Sequence, residues 1–132
     1  MKEKTSILII DDNPDNLEMF SRRLNVAGYT VRPANNGEEA FDILSKEKID
    51  CVLLNSRLSQ MPSIEVVKRI KSDKGLEFMP VIILTGLEKE ADALTGLEDG
   101  ADDYIIESSG EQMVLVKLKM VLRTKYLRDE FI

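Results

Sequence analysis

Histidine is absent from the 132-residue chain, which removes the commonest general base and a common transition-metal ligand. Cysteine occurs once, as Cys51 inside an apolar run, so no disulfide framework can form and the thiol reads as a small core residue rather than a nucleophile. That fits a reducing compartment, and the expected location is the cytoplasm. Long hydrophobic runs are also missing. Nothing approaches membrane-spanning length, and no apolar segment behind Met1-Lys2-Glu3-Lys4-Thr5 is long enough for a signal peptide. Positive charge is outweighed: 18 Lys and Arg against 24 Asp and Glu leave a net charge of −6. A general nucleic-acid or anionic-membrane binder needs a cationic surface, so both classes are disfavoured.

What remains, with 43% hydrophobic and 32% charged residues, is a soluble, folded chain with the length of one domain. Short β-branched runs alternate with longer segments of helical period, the pattern of a parallel sheet covered on both faces. Asn13-Pro14 starts the first helix, with Asn13 as cap and Pro14 at the first helical position. Leu17, Phe20 and Leu24 form its buried stripe, and Gly28 ends it. Thr30 to Ala34 is a strand whose Pro33 suits a sheet edge. A helix from about Glu38 carries Ala40, Phe41 and Leu44, and another carries Val66, Val67 and Ile70. Pro80 opens the fourth strand, Glu88 to Leu97 is the fourth helix, and Asp103 to Ile106 is the fifth strand. Ser108 and Glu111 have the spacing of a capping box for the last helix. Five βα units make one doubly wound α/β domain with expected strand order 2-1-3-4-5.

Four of the apolar runs end in polar residues: Ile7 to Ile10 in Asp11-Asp12, Cys51 to Leu54 in Asn55, Val81 to Leu84 in Thr85, and Tyr104 to Ile106 in Glu107. Parallel strands bring these residues to one carboxyl edge, where open α/β sheets place ligands and chemistry. The cluster holds acids, an amide and a hydroxyl, and no cation.

Four segments resemble the receiver domains of two-component response regulators: Ile7 through Asn13, Gly37-Glu38-Glu39-Ala40, Pro80 through Thr85, and Gly100 through Tyr104. The resemblance runs from Ile7 to about Arg128. It implies a flavodoxin-like (βα)5 fold over residues 1–128 and a role in a phosphorelay. Ordinary receivers accept a phosphoryl group from a histidine kinase onto an aspartate ending the third strand, with Mg²⁺ held by an acidic pair. A threonine and a lysine then bind the phosphoryl oxygens, and an aromatic residue reports the change. By that resemblance Asp11 and Asp12 match the acidic pair, Thr85 the switch threonine and Tyr104 the switch aromatic. Asn55 falls on the phosphoacceptor, Glu107 on the lysine and Ser108 on the proline that follows it. Leu58-Ser59 and Ser63 also depart from the family loop.

These departures bear on chemistry. The amide oxygen of Asn55 is a far weaker nucleophile than a carboxylate, and its NH₂ presents donors where a metal needs an acceptor. Glu107 repels the phosphoryl group that a lysine would neutralise. The chain is therefore expected to be a degenerate pseudo-receiver that is not an enzyme and acts through protein contacts. Two alternatives stay open. One is phosphoryl transfer to an unusual residue, Asp12 or Ser56. The other is a weak Mg²⁺, Ca²⁺ or small-ligand site built from Asp11, Asp12, the Asn55 carbonyl and the Arg57 backbone carbonyl, with Glu107 nearby. Set against the metal reading is a plainer one, in which Glu107 faces solvent or pairs with a lysine. For Thr85 and Tyr104, packing is favoured over switching.

The last helix, within residues 111–132, is expected from Glu111 to Glu130, with Leu115, Leu118, Leu122 and Tyr126 as one stripe and Val116, Met120, Leu127 and Phe131 as another. One stripe faces the sheet, and the other needs its own cover. The expected partners are a signalling kinase, an output domain or a second copy through this helix, with no nucleic acid and no membrane.

Overall fold

The computed structural model describes residues 4–86 and 90–130, the side chains of 90–93 and 130 excepted. The elements alternate: β1 Ser6–Ile10, α1 Pro14–Val26, β2 Thr30–Ala34, α2 Gly37–Lys46, β3 Cys51–Asn55, α3 Ser63–Ser72, β4 Val81–Thr85, α4 Glu90–Glu98, β5 Asp103–Ile106 and α5 Glu111–Glu130. All the strands pair in parallel in the order β2-β1-β3-β4-β5, as the alternation of patterns predicts. The expected start of the fourth helix at Glu88 lies outside the described residues.

Side chains alternate between the sheet's two faces, so each central strand feeds two cores. Leu8, Ile10, Val52, Leu54, Val81 and Ile83 pack with Ala40, Ile43 and Leu44 of α2 and Val66, Val67 and Ile70 of α3. On the opposite face Ile7, Ile9, Leu53 and Ile82 meet Leu17, Phe20 and Leu24 of α1 and Val114, Leu118 and Leu122 of α5. β3 and β4 are buried along their whole length, which is why they read as unbroken apolar runs rather than alternating ones. Pro33 sits in β2 at the sheet edge, where only one neighbour needs its hydrogen bonds.

Helix entry follows local chemistry. The Asn13 side chain accepts hydrogen bonds from the Asp15 and Asn16 amides, and Gly28 leaves α1 with φ of +101°. Asn36 caps α2, which begins at Gly37, one residue before the expected Glu38.

Two expectations for α5 are corrected. The buried stripe is Val114, Leu118 and Leu122, with Leu115 only partly covered; Tyr126 is 46% exposed and its hydroxyl is 2.8 Å from Thr5 Oγ1. The capping box does not form. Ser108 lies within a 3-10 turn, Glu107–Ser109, and Gly110, at φ of +96°, separates that turn from the helix. Glu111 is thus the first helical residue, whereas the box requires it three positions past its cap. Among the described residues, no helix is long and apolar enough to cross a membrane.

Candidate functional site

Because every strand runs the same way, Asp11 after β1, Asn55 and Thr85 at the ends of β3 and β4, and Glu107 after β5 emerge at one edge. The register sets Asn55 beside Leu84 and Thr85 beside Ile106. Asp11, Asn55 and Thr85 are at most 4% exposed, so each polar group needs a partner.

Asn55 organises the cluster. Its Nδ2 donates to Asp11 Oδ2 at 2.8 Å and to Glu107 Oε1 at 3.3 Å, while its Oδ1 accepts from the Arg57 backbone N–H at 2.7 Å. The amide's orientation follows from these neighbours: the Arg57 N–H can bond only the amide's oxygen end, and the two carboxylates only its NH₂ end. Ser63 Oγ donates to the Asn55 main-chain oxygen at 2.6 Å, tying the start of α3 to the strand end. The other Asp11 oxygen accepts from the Asn13 amide at 2.9 Å, so one buried carboxylate anchors both the site and the entry to α1.

Within the expected metal set of Asp11, Asp12, Asn55 and Arg57, the Asn55 side chain has its oxygen on the Arg57 N–H and its NH₂ on Asp11. A pair of donors thus points where a hard cation needs lone pairs. Asp12 is exposed and its Oδ2 accepts from the Ser59 amide at 2.8 Å, on the loop between β3 and α3. Among the described residues no group of three or more His, Cys, Asp or Glu side chains is placed to hold a metal ion. Glu107 is exposed, and among the described residues its partner is Asn55 rather than a lysine.

Thr85 Oγ1 accepts from Ser56 Oγ at 3.2 Å and donates to the Gly86 carbonyl at 3.1 Å, so its single proton is already used within the fold. Tyr104 is half-buried on β5, against the core that holds α2 and α3. Cys51 is wholly buried, and loss of solvent pushes its thiol well above the usual range, with Asp102 and Asp50 adding in the same direction. It is a core residue, as its apolar run indicates.

Three features of the fold escape a reading of the sequence, Ser59 and Ser63 at this edge and Asp102 at the opposite one. Ser59 and Ser63 act through loop geometry that no spacing signals. Asp102, just before β5, receives the Val81 amide at 2.8 Å and Lys71 Nζ at 3.1 Å through one oxygen, tying α3, β4 and β5 together. The Gly100-Ala101-Asp102-Asp103 pattern was the signal available for it.

The model of the response regulator receiver domain matches residues 7–119. The chain is 34% identical over 128 residues to a probable transcriptional regulator, ycf27, of Cyanidium caldarium, covering 97% of this chain and 50% of that protein. It is 36% identical over 118 residues to the phosphate regulon transcriptional regulatory protein PhoB of Pseudomonas aeruginosa, covering 89% of this chain and 52% of that one. The chain thus spans about half the length of these curated relatives. A receiver domain protein from Clostridium thermocellum superposes with a TM-score of 0.86 at 26% identity, over 93% of this chain and 98% of that one. With its βα order, its strand-end cluster and a match over residues 7–119, the chain belongs to the response regulator receiver domain family.

Proposed function

We propose that this receiver domain of two-component signalling works through protein contacts without forming an aspartyl phosphate at the usual position. The observation that carries the reading is the Asn55 amide, held between Asp11 and Glu107. In the ordinary receiver pattern the third-strand position supplies negative charge and the fifth-strand position a cation. Here the polarity is exchanged: position 55 donates and position 107 accepts. A phosphoryl group arriving at this edge meets no nucleophilic carboxylate and faces Glu107 in place of a lysine. Two like charges about 4 Å apart repel by roughly 4 kcal/mol at an effective dielectric near 20. The pocket instead closes on itself as a hydrogen-bonded cluster, and the domain presents a surface rather than a reaction centre. Partners of this module are a signalling kinase, an output domain, or a second copy through α5.

The test is incubation with acetyl phosphate and Mg²⁺ followed by intact-mass measurement. The parent chain gains no mass, whereas the double variant Asn55→Asp with Glu107→Lys regains labelling. A phosphoryl adduct on the parent, located by peptide mapping to Asp12 or Ser56, would establish the alternative of an unusual acceptor.

A further inference from the structure

At the opposite edge of the sheet, where β1 and β2 begin, an open groove of about 430 Å³ runs between α5 and the loop entering β2. Tyr29, Leu122, Tyr126 and Leu127 give it an apolar and aromatic lining, and Lys119 and Arg123 line it as well. The Tyr126 hydroxyl is tied to Thr5 Oγ1, which holds that ring as part of the wall.

Its charge is unusual for this chain. Although the net charge is −6, the stretch from Gln112 to Arg128 contains Lys117, Lys119, Arg123, Lys125 and Arg128 and no acid. Lys117 pairs with Asp103, Lys125 with Asp129, and Arg128 donates to the Phe78 carbonyl. Among the described residues, Lys119 and Arg123 alone of the five form no ion pair or hydrogen bond, and both line the groove. They stand one helical turn apart, about 6 Å at their Cβ atoms, the spacing of two carboxylates on a neighbouring helix.

We infer that this groove docks an acidic amphipathic helix of a protein partner, its apolar side on Leu122, Leu127 and the two tyrosines and its carboxylates against Lys119 and Arg123. Helix-in-groove binding of this kind takes affinity from apolar anchors and selectivity from flanking charge. A helix fits better than an anionic bilayer, because an extended anionic surface meets the repulsion of the whole acidic chain, whereas a peptide meets the local field. The groove is remote from Asn55, so it can be tested independently of how that site behaves.

The experiment is a titration of the full chain with a synthetic helical peptide carrying Glu on one face and Leu and Phe on the other, followed by amide chemical shifts. Saturable shifts centred on Tyr29, Lys119 and Tyr126 are expected. They should weaken by at least roughly tenfold in Lys119→Glu with Arg123→Glu and remain in the exposed control Lys68→Glu. Both groove residues are exposed, so the variants should retain the parent's melting temperature. Binding should also weaken with salt. Equal binding of a Lys-faced peptide, shifts centred elsewhere, or binding only of octanoate or of anionic phospholipid vesicles would overturn the inference.

Discussion

Asn55 and Asp11, 44 residues apart, are joined by a 2.8 Å hydrogen bond in which the amide Nδ2 donates to a carboxylate that is 1% exposed. A buried carboxylate needs compensation for its lost hydration, and here a neutral amide provides part of it. The same NH₂ reaches Glu107, so one side chain bridges two acids that would otherwise face each other.

Asn55→Ala should therefore cost about 1.5–3 kcal/mol in urea unfolding at pH 7, the range for losing a hydrogen bond to a charged group. Asn55→Asp should cost more at pH 7, because it replaces the donor with a third carboxylate. Millimolar Mg²⁺ should raise the melting temperature of Asn55→Asp and leave the parent unchanged. A parent chain stabilised by Mg²⁺ would contradict the geometry of the amide.

The two faces of α5 separate cleanly by mutation. Leu118 is fully buried and Val116 is 51% exposed. Leu118→Ala should destabilise by about 2–5 kcal/mol, while Val116→Ala should stay within about 0.5 kcal/mol. Denaturant midpoints measured on both variants decide this.

Asp102 accepts both the Val81 amide and Lys71 Nζ through one oxygen. Asp102→Ala should lower stability by about 1–3 kcal/mol by leaving the Val81 N–H without its acceptor. Lys71→Met, which retains the aliphatic stem, should cost less, since Asp102 keeps the backbone bond. Thermal unfolding of the two variants gives the order.

Burial raises the Cys51 thiol pKa above its unfolded value, so the folded chain holds the thiol neutral where the unfolded chain ionises it. The resulting stability is fully present below about pH 8.5 and declines as the pH rises above it toward the folded value. Native protein should resist thiol alkylation at pH 8, and alkylation should proceed once denaturant unfolds it. Rapid labelling of the native chain would show that the strand opens.

Local chemistry made much of this protein readable in advance. The Asn13 cap, the Leu17-Phe20-Leu24 stripe and the edge placement of Pro33 depend on a few neighbouring residues, and all three are seen. The unbroken runs at β3 and β4 announce strands buried on both faces, which in an alternating βα chain leaves few orders of assembly. The meeting of Asp11, Asn55, Thr85 and Glu107 at one edge follows from that order alone.

Other features were decided only in three dimensions. α5 carries apolar residues on several sides, so its pattern allows more than one inward face; docking against α1 and the sheet selected Val114 over Tyr126. The Ser108 to Glu111 spacing suggests a cap, yet the chain makes a 3-10 turn and passes Gly110 before the helix begins. At Asn55 the residue type permits either end of the amide to face the site. Asp11 and Glu107, 44 and 52 residues away, drew the NH₂ inward while the Arg57 N–H took the oxygen. Sequence determined which groups meet at the edge, because strand direction is a matter of chain order. Tertiary structure determined which atom faces which, because hydrogen-bond polarity is settled only once distant partners are in place.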